Sequence, residues 1–166
     1  MSPTPTPPTS LSPAHDPEAR LRDLGLTLPT PPSPVAAYIP YRRVGNLLFV
    51  SGQIPMRDGK LIAKGSIPRQ VSLETAQECA RQCVLNGLAI AKSAAGSLGA
   101  IKQVVRVGVW VCCEPGFNDQ PKVANGASEL LVAILGEAGK HARAAVGSID
   151  LPLGAPIEVE FLFELA

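Results

Sequence analysis

Arg143, in the run HARAAVGSIDLPLGAPIEVEF, and Glu158, further along the same run, are the side chains best suited to act together on a small molecule. The planar, permanently charged fork of an arginine takes a carboxylate by two parallel hydrogen bonds, and a glutamate close by can hold or deprotonate a water. The pair therefore predicts an anion-reading site and water chemistry on a small molecule that carries a carboxylate. Each residue falls on a predicted strand, 143–149 and 156–165, and the two are expected to face a common crevice walled by a second copy of the chain.

Other reactive types lack such company. Cys79 and Cys83 lie one helical turn apart, while Cys112 and Cys113 are adjacent on a predicted strand and point to opposite faces. No histidine cluster joins them, His15 and His141 being far apart, so no metal site is expected and the four thiols are read as reduced and mostly buried. A net charge of +1 gives no long-range pull toward nucleic acid or an anionic membrane, and 4% aromatic residues leave few rings for stacking on bases. No basic region followed by an apolar run opens the sequence, and no apolar stretch is long enough to span a bilayer. A soluble, cytoplasmic protein is expected, with a small molecule or another subunit as partner.

Ten of the seventeen prolines fall within residues 1–34, where MSPTPTPPTS and PTPPSP offer no apolar periodicity. This reads as a proline-rich extension, disordered over residues 1–14. Within it Asp16 caps a short helix near 17–25 that starts at Pro17 and carries Leu21, Leu24 and Leu26 as an apolar stripe, docking as an arm. One domain over 35–166 follows, with 46% hydrophobic residues across the chain to build its core.

That domain opens with a hairpin, its first strand running from Val35 through Tyr38 and Tyr41, its turn at Gly45-Asn46 and its second strand LLFVSG. Ser72 then caps a long helix with Ala76, Ala80, Cys83, Val84, Gly87, Leu88 and Ala91 at helical spacing. IKQVVRVGVWVCC reads as a long central strand, with Trp110 as a packing residue. A second helix from Pro121 to Leu135 follows Asn118 and Asp119 and ends at the glycines 136 and 139. These elements do not alternate as in a doubly wound fold, so the expected class is α+β, two helices on one face of a mixed sheet. The strands are apolar enough on both sides to predict that other subunits cover the second face.

GNLLFVSGQIP (45–55), KVANGASELL (122–131) and ARAAVGSIDLPLGAPIEVE (142–160) resemble the Rid, or YjgF, family of enamine/imine deaminases, in an N-terminally extended branch. The resemblance covers nearly all of 35–166. It implies a chorismate-mutase-like protomer, a homotrimer with clefts between adjacent subunits, and cofactor-free hydrolysis of reactive 2-enamino and 2-imino acids to 2-oxo acids and ammonia. Carried over by position, Arg143 is the arginine that holds the substrate carboxylate and Glu158 the glutamate that positions water. Tyr38 is the tyrosine lining the cleft from the facing subunit, Ser51 and Gly52 are the Ser-Gly whose backbone borders it, and Asn125 is the family asparagine. The cysteine found two residues after the arginine in many members is Ala145 here, and the residue two before it, often proline, is His141.

Plainer roles stand beside these. Arg143 is also suited to an interface ion pair, and Tyr38 to packing. Glu158 and Glu160 share one sheet face at period two, so one of them can serve the cleft while the other pairs with a lysine or faces the trimer axis. Ser51 is read as a backbone contributor rather than a nucleophile, since neither histidine is placed to activate it. Two other functions remain open: a non-catalytic trimer that binds small carboxylates, and an endoribonuclease, a label the family also carries. Near-zero charge and the lack of a histidine pair argue against the latter.

Overall fold

A computed structural model describes residues 16–31 and 37–166. Both the expected disorder of 1–14 and a strand start at Val35 lie outside the described residues.

The first element is α1 (Pro17–Asp23). Asp16 Oδ1 accepts from the Ala19 amide at 3.1 Å, and proline at the first helical position forfeits no hydrogen bond. The expected stripe is only partly realised: Leu21 is buried and Leu26 packs on the core, but Leu24, at the helix C-cap, is exposed. Glu18 fastens the arm, accepting from the Leu98 amide at 2.9 Å.

A five-stranded sheet follows in the order β1-β2-β7-β5-β6, where β1 is Tyr41–Val44, β2 Leu47–Gln53, β5 Ile101–Cys112, β6 Ala142–Ser148 and β7 Ile157–Leu165. β5 and β6 pair in parallel and the other neighbours are antiparallel. A small separate hairpin, β3 (Met56–Arg57) with β4 (Lys60–Leu61), lies after β2. The β1–β2 turn has Gly45 at φ +60°, a conformation that costs glycine little. The first strand is shorter than expected. Pro40 has no N–H to contribute, and the two carbonyls before Tyr41 bond to Ser51 instead: the Ser51 hydroxyl donates to Ile39 O at 2.8 Å and its amide to Pro40 O at 3.0 Å. Tyr38 therefore sits in a bend ahead of the strand, exposed, and not on it.

Two long helices cover one face of the sheet. In α2 (Leu73–Ala95) the Ser72 side chain accepts from the Thr75 amide, and the expected Ala76, Ala80, Cys83, Val84, Gly87, Leu88 and Ala91 are all buried. α3 is Gln120–Leu135, closed by Gly136 at φ +64°. With α1 packed on α3, the described residues hold three α-helices, the expected short arm helix and the two expected on the sheet. Down β7 burial alternates: Ile157, Val159, Phe161, Phe163 and Leu165 are buried under the helices, and Glu158, Glu160, Leu162 and Glu164 half-cover the other face.

The helices touch backbone to backbone at Gly126, where an added Cβ would meet Gln77 O at 2.5 Å and Gln77 Cα at 2.9 Å. Neither atom can turn away as a side chain can. Gly126→Ala is expected to destabilise the fold by about 1–3 kcal/mol, read as a lowered urea midpoint. A loss under about 0.5 kcal/mol would show that the helix pair yields there.

Candidate functional site

The structure gathers the residues singled out by sequence into two groups. In the first, Arg143 points from edge strand β6 toward α3. Its Nη1 donates to Asn125 Oδ1 at 2.9 Å and to Ser128 Oγ at 3.0 Å, and Nη2 reaches Pro121 O at 3.4 Å. Asn125 and Ser128 stand three apart on α3 and so present neighbouring side chains to the strand. An arginine has five N–H donors. Both Nη1 hydrogens are taken by α3, and among the described residues Nε–H has no partner, which leaves the Nε–Nη2 edge to receive a carboxylate side-on.

Behind this guanidinium lies His141. Its Nδ1 is 2.6 Å from Gly139 O and its Nε2 is 3.0 Å from Ser128 Oγ. A carbonyl only accepts, so Nδ1 carries the proton and the neutral ring leaves Nε2 to accept from the Ser128 hydroxyl. Burial pushes the His141 pKa below the ordinary imidazole value; the Gly139 bond opposes it, and the Arg143 charge adds a smaller push in the same direction as burial.

The second group lies at the opposite end of the sheet, on its uncovered face. Between Val50↔Phe161 and Gln53↔Val159, Ser51 and Gly52 stand opposite the single residue Glu160, which is a β-bulge. The Gln53 side chain supports it, donating to Ser51 O at 2.8 Å and Gly52 O at 3.2 Å. Gly52 lies directly over Glu158: a Cβ there would be 1.9 Å from Glu158 Oε1. Tyr38 and Ser51, with Arg106 and Glu160, line a cavity of about 530 Å³ beside the bulge. Glu160 is held by Arg106 at 3.0 Å, so of the two acidic residues it is Glu158 that has no cation partner among the described residues. Burial, and then the Glu160 charge, raises the Glu158 pKa above the usual carboxylate value.

One expectation is corrected. Arg143 and Glu158 lie on strands successive in sequence but not adjacent in the sheet, because β5 runs between β6 and β7. They also face opposite ways. Arg143 pairs in register with Val107, buried under the helices, and bonds to α3; Glu158 pairs with Trp110 on the uncovered face. Within one chain the two do not share a crevice.

Asn125 bonds to Arg143, a pairing that the sequence did not indicate, and neither Ser128 nor Arg106 as the partner of Glu160 was singled out. The spacing of Asn125 and Ser128 on one helix could have revealed Ser128. Burial raises the pKa of Cys79 to about 11 and those of Cys83 and Cys112 above the ordinary thiol value, so all three are poor nucleophiles at neutral pH. Among the described residues no cluster of His, Cys, Asp or Glu could hold a metal ion, and no helix is long and apolar enough to cross a membrane.

A mixed sheet under two long helices, with an arginine held at its edge, defines an α+β protein of the chorismate-mutase-like type. A family model described as "YjgF/chorismate_mutase-like, putative endoribonuclease" matches residues 18–165, and the chain belongs to this YjgF, or Rid, family. Protein TCP17 of Trypanosoma cruzi is 40% identical over 148 residues, 89% of this chain and 92% of its own. The crystal structure of the protein Atu1372 from Agrobacterium tumefaciens superposes with a TM-score of 0.84 at 43% identity, over 90% of this chain and 92% of its own. A 2-iminobutanoate/2-iminopropanoate deaminase of Dermatophagoides farinae is 26% identical over 137 residues, 81% of this chain and 91% of its own.

Proposed function

We propose that this protein hydrolyses 2-imino and 2-enamino acids to 2-oxo acids and ammonia, in clefts where the Arg143 edge of one copy meets the Glu158 face of a second, within a cytoplasmic homotrimer. The Nε–Nη2 edge of Arg143 carries the reading: it is a carboxylate receptor whose remaining donors are taken by Asn125, Ser128 and the Pro121 carbonyl. Convergence of the two groups across copies is required because one chain keeps them on opposite faces of its sheet. Phe49 and Val146, both exposed on the uncovered face, are apolar surface that such packing would bury.

The chemistry needs no cofactor. An imine carbon is already electrophilic, so the protein has to orient substrate and water and balance the developing charge. Arg143 orients the carboxylate. Glu158, whose pKa is raised above the usual carboxylate value by burial and then by the Glu160 charge, holds the water and takes its proton. Relationship to a protein named for 2-iminobutanoate and 2-iminopropanoate deamination supports the substrate class.

The test is turnover of 2-iminopropanoate generated in place by an amino-acid oxidase, followed by the loss of its imine absorbance. Acceleration over buffer is expected, removed by Arg143→Ala. Binding of 2-oxo acids without acceleration would make the protein a carboxylate-binding module instead.

A further inference from the structure

A hydrogen-bonded chain runs from Gly139 O through His141 and Ser128 to Arg143, with links of 2.6, 3.0 and 3.0 Å. Every proton in it has one consistent place. His141 Nδ1–H donates to the carbonyl, the Ser128 hydroxyl donates to Nε2, and Arg143 Nη1 donates to the Ser128 oxygen. Asn125 takes the second Nη1 hydrogen, so the guanidinium plane is fixed at two points on one side and open on the other. The anchor is short and stiff: Gly139 ends a 3-10 turn, and His141 stands immediately before β6.

We propose that His141, acting through Ser128, is the positioning residue that sets the orientation of Arg143 for carboxylate binding, and that it does so only as the neutral imidazole. This rests on Arg143 being the carboxylate receptor. A protonated ring would donate from Nε2 to Ser128 Oγ, turn the hydroxyl hydrogen away from its present acceptor and set a second positive charge beside Arg143, which pushes the guanidinium out of its present position. The new charge would lie on the Nη1 side, away from the open edge, where its pull on a bound carboxylate is screened.

Among the described residues the other charged groups on the surrounding elements are engaged elsewhere, and Arg20 on α1 lies against Gly136. On the turn before β6, Glu137 and Lys140 pair with each other at 2.8 Å; on β5, Arg106 is paired with Glu160; on α3, Lys122 is paired with Asp119 and Glu129 is exposed. Arg143 itself is the cation next to the ring.

The experiment is calorimetric titration of the full chain with pyruvate, a 2-oxo acid, from about pH 5.5 to 8. Wild-type affinity is expected to fall as pH drops through the His141 titration. His141→Ala and Ser128→Ala should weaken binding about fivefold at neutral pH and flatten the pH profile, while Ser128→Thr, which keeps the hydroxyl, should restore both. Proton NMR gives a second, ligand-free measure, with His15 as the one other histidine to separate. Arg143→Gln should raise the pH at which the His141 ring titrates. If pyruvate binding requires Arg143 but is indifferent to His141 and Ser128, the positioning role is wrong and the receptor stands. If the wild type binds no pyruvate, the receptor is wrong. A His141 titration unmoved by Arg143→Gln breaks the chain itself, whatever binds.

Discussion

Arg143→Lys is expected to lower kcat/KM for 2-iminopropanoate by about 10²-fold, and Arg143→Ala by about 10³-fold or more. Lysine keeps the charge and loses the geometry. Its ammonium would have to satisfy Asn125 and Ser128 with two of its three donors, leaving one for the substrate where the guanidinium offers two parallel donors on a fixed edge. A charge-assisted hydrogen bond contributes about 1.5–3 kcal/mol, and the shorter reach of lysine adds misalignment. The effect should fall on both KM and kcat, since the same contact holds the carboxylate and aims the imine carbon. Arg143 is exposed and its partners are polar, so the urea midpoint should hardly move. Steady-state kinetics with a folded Arg143→Lys variant decide it: activity within about threefold of wild type would remove Arg143 from the site.

The fold was legible where local chemistry agreed with packing. Ser72 and the spacing from Ala76 to Ala91 are enough to draw α2, and the apolar alternation of IEVEFLFEL is enough to put Glu158 on the face opposite the core. Strand order was not legible. That β5 separates β6 from β7 is decided by which long-range ladders form, and no local pattern in ARAAVGS records it. The side of the sheet taken by Arg143 was hidden for the same reason: ARAAVGS has no alternation of large apolar and polar residues, and its arginine turns inward because Asn125 and Ser128 wait on α3. Tyr38 falls outside the strand because Pro40, which has no N–H to give to a ladder, stands between it and Tyr41. The motif drew the eye to these residues, while their distribution over two separate groups came only from the three-dimensional arrangement.

Glu158→Gln and Gly52→Ala should each reduce turnover strongly, and by different routes. Glutamine retains the size and loses the base, so Glu158→Gln is expected to lower kcat by about 10²- to 10³-fold while pyruvate still binds. Gly52→Ala leaves the carboxylate intact and moves it. The new methyl would overlap Glu158 Oε1, 1.9 Å from the position of Cβ, so the side chain must swing aside by more than an ångström. Since Oε1 is the free end of a flexible chain, stability should drop by less than about 1 kcal/mol, yet a displacement of that size can cost about 10²-fold in rate. The pH profile supplies the sign. Glu158 acts ionised, and burial with Glu160 beside it raises its pKa, so kcat should fall as pH drops through a limb above the usual carboxylate range. Glu160→Gln removes one cause of that rise and should move the limb to lower pH. A wild-type limb at an ordinary glutamate pKa, or a Gly52→Ala variant with full activity, would show that the carboxylate under the bulge takes no part in the reaction.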